Sequence, residues 1–281
     1  MSTSSSSSSS SQKSYDLSRF DLDREMQRLR TQALRTWPQE ARLLQWYGLR
    51  NGMSVLELGS GPGFITEQLL ALLPGGQVTT VENSPEMLAR AAAYLEGKAG
   101  ERLHAVNGDI MATGLPDNSF DFAIARFLYQ HLADPVAAAR ESLRVLKPGG
   151  RLVLVDVDDT VWGLVDPPRP DLKYLEDIFV EDQAARGGNR LVGRRFPRIL
   201  AAAGYQQIAF DAVTWHSDLL GESARAVLTE DMTQDNLGEY VKTGRITQEQ
   251  ADAAAAADRA WLAGPDPLLL YFLLVGSGQK P

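Results

Sequence analysis

A chain of 281 residues with 44% hydrophobic side chains is long enough to bury a substantial core as one unit. Its formal charge of −8 sets aside an extended nucleic-acid surface, which would need clustered Lys and Arg. The absence of cysteine removes disulfides, thiol nucleophiles and thiolate metal sites, and no run of about 18 apolar residues or apolar leader stands in the chain, so the expectation is a cytoplasmic protein that engages no membrane and no metal.

In chain order, the opening "MSTSSSSSSSSQKS" (1–14) is a serine tract with nothing to bury and is predicted to be disordered. Residues 15–48 turn helical, with Leu22, Met26, Leu29, Ala33 and Leu34 at helical spacing and Pro38 and Gly48 as punctuation. This segment precedes the first strand and is expected to be a cover over the site, with Tyr15 as a candidate for orienting an acceptor through its hydroxyl. Strands then follow at about 53–58, 77–82, 102–107, 120–125 and 151–157, and helices at about 64–73, 85–96 and 136–146. Strand–helix alternation of this kind implies an α/β fold with a mostly parallel sheet and helices on both faces.

Beyond Asp159 the rhythm breaks. "DPPRP" (166–170) is rich in turn residues, 171–186 reads as a helix, and "FPRILAAAGY" is a short helix leading into a strand at about 206–214. An acidic, alanine-rich helical stretch at about 217–263 precedes a last apolar strand, "LLLYFLLVG". Residues 49–281 are therefore expected to form one domain with lid insertions at about 160–190 and 217–263, set over the crevice beyond the carboxyl ends of the strands.

The first strand opens into "VLELGSGPGF", an apolar run that delivers Glu57 and then Gly59, Gly61 and Gly63. Glycine serves where a chain turns tightly or approaches a ligand closely. A dinucleotide fingerprint needs its third glycine at the sixth position, where Phe64 stands here, so the spacing suits a ligand without a pyrophosphate on the loop. The second strand ends at Glu82, 19 residues beyond Gly63, where a carboxylate can accept from both hydroxyls of a ribose. Ser84 and Pro85 read as the N-cap and first residue of the next helix. "NGDI" places Asp109 at the third strand's tip beside apolar Ile110, a pair suited to an adenine amine and ring face.

The ordered set "VLELGSGPG", "VEN", "NGDI", "LPDNSFDFAIA" and "LKPGGRLVLVD" resembles the class I S-adenosylmethionine-dependent methyltransferases, and among them the ubiquinone/menaquinone-biosynthesis-type enzymes that methylate small molecules. The resemblance covers about residues 50–160. It implies a Rossmann-like seven-stranded sheet with an antiparallel last strand, at the place of "LLLYFLLVG". It further implies that Glu57, Gly59, Gly61 and Gly63 hold the methionine end of S-adenosyl-L-methionine, that Glu82 takes the ribose, that Asn83 and Ile110 flank the adenine, and that Asp109 binds its amine, with Ser60 and Met87 as further cofactor-binding candidates. Arg126 would lie along the methionine tail, and "EMQRLRTQ" resembles an N-terminal helix whose glutamine, here Gln32, reaches the cofactor carboxylate. The Asn/Asp-Pro-Pro-Tyr/Phe motif is absent at the fourth strand, where "ARFL" stands, which speaks against methylation of nucleobase or glutamine amides.

Candidate bases are His131 in "YQHL" and His216 in "TWHSD", each to be weighed against a local hydrogen-bonding role; His104 lies inside a strand. Trp162, Tyr174, Phe179 and Trp215 are candidates for an apolar substrate pocket or for plain packing. The expected activity is methyl transfer to an O, N or C nucleophile of a small, neutral or cationic, hydrophobic specialised metabolite. An NAD-dependent oxidoreductase on the same sheet and a binding-only sensor of S-adenosylmethionine remain open alternatives, as does homo-oligomerisation.

Overall fold

The structure is a computed structural model, which describes residues 22–161, 163–217 and 235–281. Tyr15, Phe20 and Trp162 lie outside the described residues.

Helix α1 spans Leu22–Trp46 and runs through Pro38 without ending. The strands β1 (Ser54–Leu58), β2 (Gln77–Glu82), β3 (Leu103–Asn107), β4 (Phe120–Arg126) and β5 (Leu146–Asp156) follow, with α2 (Phe64–Leu72) after β1, α3 (Pro85–Leu95) after β2 and α4 (Pro135–Val145) after β4. These five strands pair in parallel in the order β3-β2-β1-β4-β5. Their continuous apolar composition has a direct cause: a parallel sheet is covered on both faces, and Val55, Leu56, Ala123, Leu152 and Val153 are all fully buried. Ser84 caps α3 as its sequence position indicates, its hydroxyl accepting from the Met87 N–H at 3.3 Å, with Pro85 at the first helical position.

The remaining elements are β6 (Gly163–Asp166), α5 (Lys173–Ala185), α6 (Phe196–Ala203), β7 (Gln206–His216), α7 (Asp235–Lys242), α8 (Gln248–Leu262) and β8 (Leu268–Gln279). β8 runs antiparallel to β5 through its second half and to β6 through its first, while β7 runs antiparallel along its other edge. The described residues thus hold eight strands, one more than the sequence reading gives. The extra strand, β6, is only four residues long and lies in the stretch where the strand–helix rhythm is lost. Strand β5 begins at Leu146 and takes in the "LKPGG" stretch that reads as a turn, and the alanine-rich stretch holds two helices, α7 and α8.

Two main cores cover the two faces of the sheet. One joins Leu44, Trp37 and Ala33 of α1 to Val55, Leu69, Val153 and Leu273; the other joins Leu56, Ala123 and Leu154 to α4 and α6. Helices α5, α7 and α8 share a separate small core of Leu175, Leu237, Tyr240, Ile246, Ala251 and Ala254.

The chain leaves β1 toward β2 and β3 on one side, then crosses to β4 and β5 on the other. At this switch point the carboxyl ends of β1 and β4 lie side by side, Glu57 paired with Ile124 and Leu58 with Ala125. In open α/β sheets the ligand crevice lies at such a point.

Candidate active site

The loop after β1 carries three glycines in the left-handed region: Gly59 at φ 66°, Gly61 at φ 53° and Gly63 at φ 85°. They differ in what a side chain would meet. A Cβ on Gly63 would stand 2.9 Å from Leu95 of α3, so that glycine allows close packing of α2 on α3. A Cβ on Gly61 would meet nothing within 4 Å and would project into the open crevice. Next to it, the Ser60 hydroxyl is buried and has no hydrogen-bond partner among the described residues. An open backbone and an orphaned hydroxyl together fit a ligand laid over this loop.

Glu82, at the tip of β2, holds the loop in place. Its two carboxylate oxygens accept from the N–H of Gly61 at 3.0 Å and of Ser84 at 2.9 Å. At the tip of β3, Asp109 is exposed and accepts from the Met111 N–H at 2.9 Å, while Ile110 is buried in the core and Asn83 is exposed. Met87 is buried on the first turn of α3.

Glu57 is buried at the tip of β1 and accepts from the Thr66 hydroxyl at 2.6 Å. Burial pushes its carboxyl up to about 8, opposed by the Thr66 hydrogen bond and by the positive charge of Arg126. Arg126, at the tip of β4, makes a bidentate pair with Glu40 of α1 at 2.8 and 2.9 Å. Its guanidinium also donates to the Gln32 carbonyl at 3.0 Å and to the Thr36 hydroxyl at 3.1 Å. Arg126 and Gln32 are therefore brought together, but through the backbone oxygen of Gln32.

A cavity of about 340 Å³ opens beside these residues. α1 contributes Arg28, Gln32, Arg35 and Thr36 to its wall, and the tip of β4 contributes Phe127. The opposite elements give an apolar wall that includes Leu175 and Phe179 of α5, Leu237 and Tyr240 of α7, Trp261 of α8, and Tyr271 and Leu273 of β8. Most of its charges are compensated in place. Arg28 is bound to Glu25 at 2.7 and 2.6 Å, Arg190 to Asp159 at 2.7 Å through both nitrogens, and Arg169 to Asp171 and Asp258. The Arg35 guanidinium lies 5.1 Å from the Trp215 ring centroid and 6.0 Å from that of Tyr271.

Of the aromatic candidates, Phe179 lines the cavity, Trp215 is buried under Arg35 against Tyr271, and Tyr174 packs on the core of α5, α7 and α8. His131 and His216 are not among the residues that line the cavity. The Nδ1 of His131 lies 2.9 Å from the amide nitrogen of Gln183 on α5. Burial, followed by the charges of Arg190, Arg186 and Arg28, pulls its imidazole down to about 4. His216 ends β7 one residue beyond Trp215, so strand alternation turns it to the other side of the sheet from that ring.

Sequence reasoning missed Glu40, Thr36, Arg35, Arg169, Asp159, Arg190 and Asp258. Each is a charged or polar residue on a helix or irregular segment, where a solvated surface is the ordinary reading. The only signal at hand was that Glu40 and Arg126 bracket the first four motifs of the resemblance.

The glycine loop after β1 and the acids at the tips of β1, β2 and β3 lie together along the switch-point crevice. Residues 56–154 match the family model described as "Methyltransferase domain". Residues 56–154 are thus similar to a methyltransferase domain, in agreement with the class I S-adenosylmethionine-dependent type that the sequence motifs resemble. It is 32% identical, over 49% of its length and 52% of the relative's, to the ubiquinone/menaquinone biosynthesis C-methyltransferase UbiE of Paracoccus denitrificans. The chain spans about half the length of the curated relatives it matches. Among solved structures, phosphoethanolamine N-methyltransferase 2 of Haemonchus contortus, in complex with phosphomonomethylethanolamine and S-adenosylhomocysteine, has a TM-score of 0.55 at 20% identity, over 87% of this chain and 53% of that one. The [4+2]-cyclase SpnF has a TM-score of 0.55 at 22% identity, over 89% of this chain and 85% of that one. These two show a shared fold.

Proposed function

We propose that this chain transfers a methyl group from S-adenosylmethionine to a compact, largely apolar acceptor held in the cavity. The observation that carries the reading is the position of Phe127: it lines the cavity and directly follows Arg126 at the switch point, so the acceptor chamber opens beside the cofactor crevice. The cofactor, when bound, supplies a methyl group already activated on a sulfonium.

The chain's own residues then bind, orient and exclude water. Gly59, Ser60, Gly61 and Gly63, with Glu57 behind them, would hold the methionine end; Glu82 would take the ribose, Asp109 the adenine amine, and Asn83, Met87 and Ile110 the adenine faces. Arg126 acts through α1, holding Gln32 and Thr36 at the junction of crevice and cavity. Helices α5, α7 and α8 serve as a lid, and α1 as a cover, over the acceptor. Fixing two reactants in line in this way can supply about 7–11 kcal/mol of the barrier.

A volume of about 340 Å³ stands at the low end of ordinary ligand pockets, which run from about 300 to 1,000 Å³. That size and the apolar wall support a small ring-bearing acceptor. The C-methylation named for the Paracoccus relative supports a carbon as the atom methylated. Calorimetric titration with S-adenosylhomocysteine, followed by incubation with isotope-labelled S-adenosylmethionine and a metabolite extract read by mass spectrometry, tests the proposal. A protein that does not bind S-adenosylhomocysteine overturns it; binding with no labelled product from any extract points to the sensor role.

A further inference from the structure

Asp258 lines the cavity from α8 and is only 8% exposed. Its Oδ1 accepts from the Arg169 guanidinium at 3.0 Å, while its Oδ2 is buried and has no hydrogen-bond partner among the described residues. Folded proteins rarely leave a buried carboxylate oxygen without a donor, and where they do the gap asks for an explanation. Two nearby donors are engaged elsewhere as well. Arg169 also forks onto Asp171 through its Nε and second terminal nitrogen, at 3.0 to 3.2 Å, and the Trp261 indole N–H is given to the Pro167 carbonyl at 2.9 Å.

The wall around this carboxylate is apolar and aromatic, with Leu172, Leu175, Val165, Trp261 and Leu269 among its members. Three of the guanidiniums that line the cavity already hold carboxylates of the chain: Arg28 with Glu25, Arg190 with Asp159, and Arg169 with Asp171 and Asp258. An anionic acceptor would have to compete with these pairs. A neutral hydroxyl or N–H would instead complete Asp258 and leave every pair intact.

Building on the proposal that the cavity holds the methyl acceptor, we infer that Asp258 is a specificity residue that receives a hydroxyl or N–H group of a ring-bearing acceptor. Arg169 fixes the carboxylate through one oxygen, and the second oxygen reads the ligand. The hydrogen bond orients the ring within an otherwise non-directional apolar chamber.

Equilibrium dialysis of the full chain, saturated with S-adenosylhomocysteine, against three probes tests this: naphthol, its methyl ether, and naphthoate. Wild-type protein is expected to bind naphthol about tenfold or more tightly than the ether. In Asp258→Asn, which keeps a carbonyl for Arg169 but presents an amide N–H in place of the second oxygen, that preference is expected to vanish, with the affinity for the ether unchanged within about twofold. Equal affinity of wild type for naphthol and ether, a preference for naphthoate, or binding of no probe overturns the inference, and the wild-type comparison holds even if the variant fails to fold. Failure of S-adenosylhomocysteine to bind in the same dialysis would strike the methyltransferase reading itself, a result separate from any ranking of the probes.

Discussion

Arg126 and Glu40 form a bidentate ion pair in which the arginine side chain is 8% and the glutamate side chain 1% exposed, tying the tip of β4 to α1. Thr36 donates its hydroxyl to the same Glu40 carboxylate, so two turns of α1 are keyed to one guanidinium. A buried pair gains little over an apolar pair of the same volume, but removing one partner leaves a charge with no compensation. Glu40→Ala is expected to lower stability by about 3–5 kcal/mol, and joint replacement of Glu40 and Arg126 by leucine and methionine to recover most of that loss. Urea unfolding of the single and double variants measures both; a Glu40→Ala cost below about 1 kcal/mol would show that α1 is not held by this pair.

Glu82 has two tasks, one visible and one proposed. Its carboxylate fastens the N–H groups of Gly61 and Ser84, and it stands where the ribose hydroxyls would lie. Glu82→Ala is therefore expected to weaken S-adenosylhomocysteine binding by about 1.5–3 kcal/mol, roughly 10- to 150-fold. Calorimetry reads the change directly. Affinity equal to wild type would remove Glu82 from the cofactor site.

Burial at the tip of β1 raises the Glu57 carboxyl from the ordinary range near 4.5 to about 8. The folded chain then holds a proton that the unfolded chain has released, so the contribution of this group to stability is complete below about 4.5 and is lost as pH rises through about 8. Asp156, raised to about 6 by burial, acts in the same direction at lower pH. His131 acts oppositely: its imidazole is held neutral down to about 4, so stability is lost as pH falls from 6.5 through 4. The clean window is from about pH 6.5 to 8, where the Glu57 slope approaches, at most, about 1.4 kcal/mol per pH unit. Unfolding midpoints across that window are expected to fall in the wild type and to stay flat in Glu57→Gln. A flat wild-type profile would mean that Glu57 is ionised in the folded chain.

The His131 environment also bears on catalysis. A general base contributes about 10²–10⁴-fold, and it has to reach the proton it takes. This ring is engaged with Gln183 and is absent from the residues lining the cavity. His131→Asn is expected to change methyl transfer to the acceptor found in the extract assay by less than about tenfold. A loss of a hundredfold or more, with S-adenosylhomocysteine affinity unchanged, would restore the base.

The half of the molecule proposed to hold the cofactor was legible as a fold because its parts are local. Each strand delivers its acid or glycine to the sheet's carboxyl edge, and strand order follows from handed crossovers, so "VLELGSGPG" and "NGDI" carry their own placement. The cavity is different in kind. Arg126 meets Glu40 across 86 positions and Arg169 meets Asp258 across 89. Neither partner stands out in a helix whose exposed face is full of charges: Glu40 lies in a helix with five arginines, and Asp258 in an alanine-rich run. Such pairs are set by how helices dock on the sheet, which periodicity does not report. The same reason hides β6, whose four residues, Gly163–Asp166, pair with β8 about 105 positions later.

Truncation separates the two halves of the site. Arg28, Gln32, Arg35 and Thr36 line the cavity from the first half of α1, whereas Trp37, Glu40 and Leu44, in the second half, belong to the core or to the Arg126 pair. Removing residues 1–11 is expected to leave binding and folding unchanged, because a serine-rich tract has little to bury and α1 is kept whole. Removing residues 1–36 deletes one wall of the cavity, Ala33 of the core and the Gln32 carbonyl that Arg126 uses, but keeps Glu40 and the larger apolar anchors Trp37 and Leu44. The shortened chain is expected to stay folded, to bind S-adenosylhomocysteine, and to lose both probe binding and methyl transfer. Circular dichroism, calorimetry with S-adenosylhomocysteine and dialysis with naphthol report the three properties independently. Full methyl transfer by the shortened chain would show that α1 takes no part in holding the acceptor, and a chain unable to fold would assign the whole helix to the core.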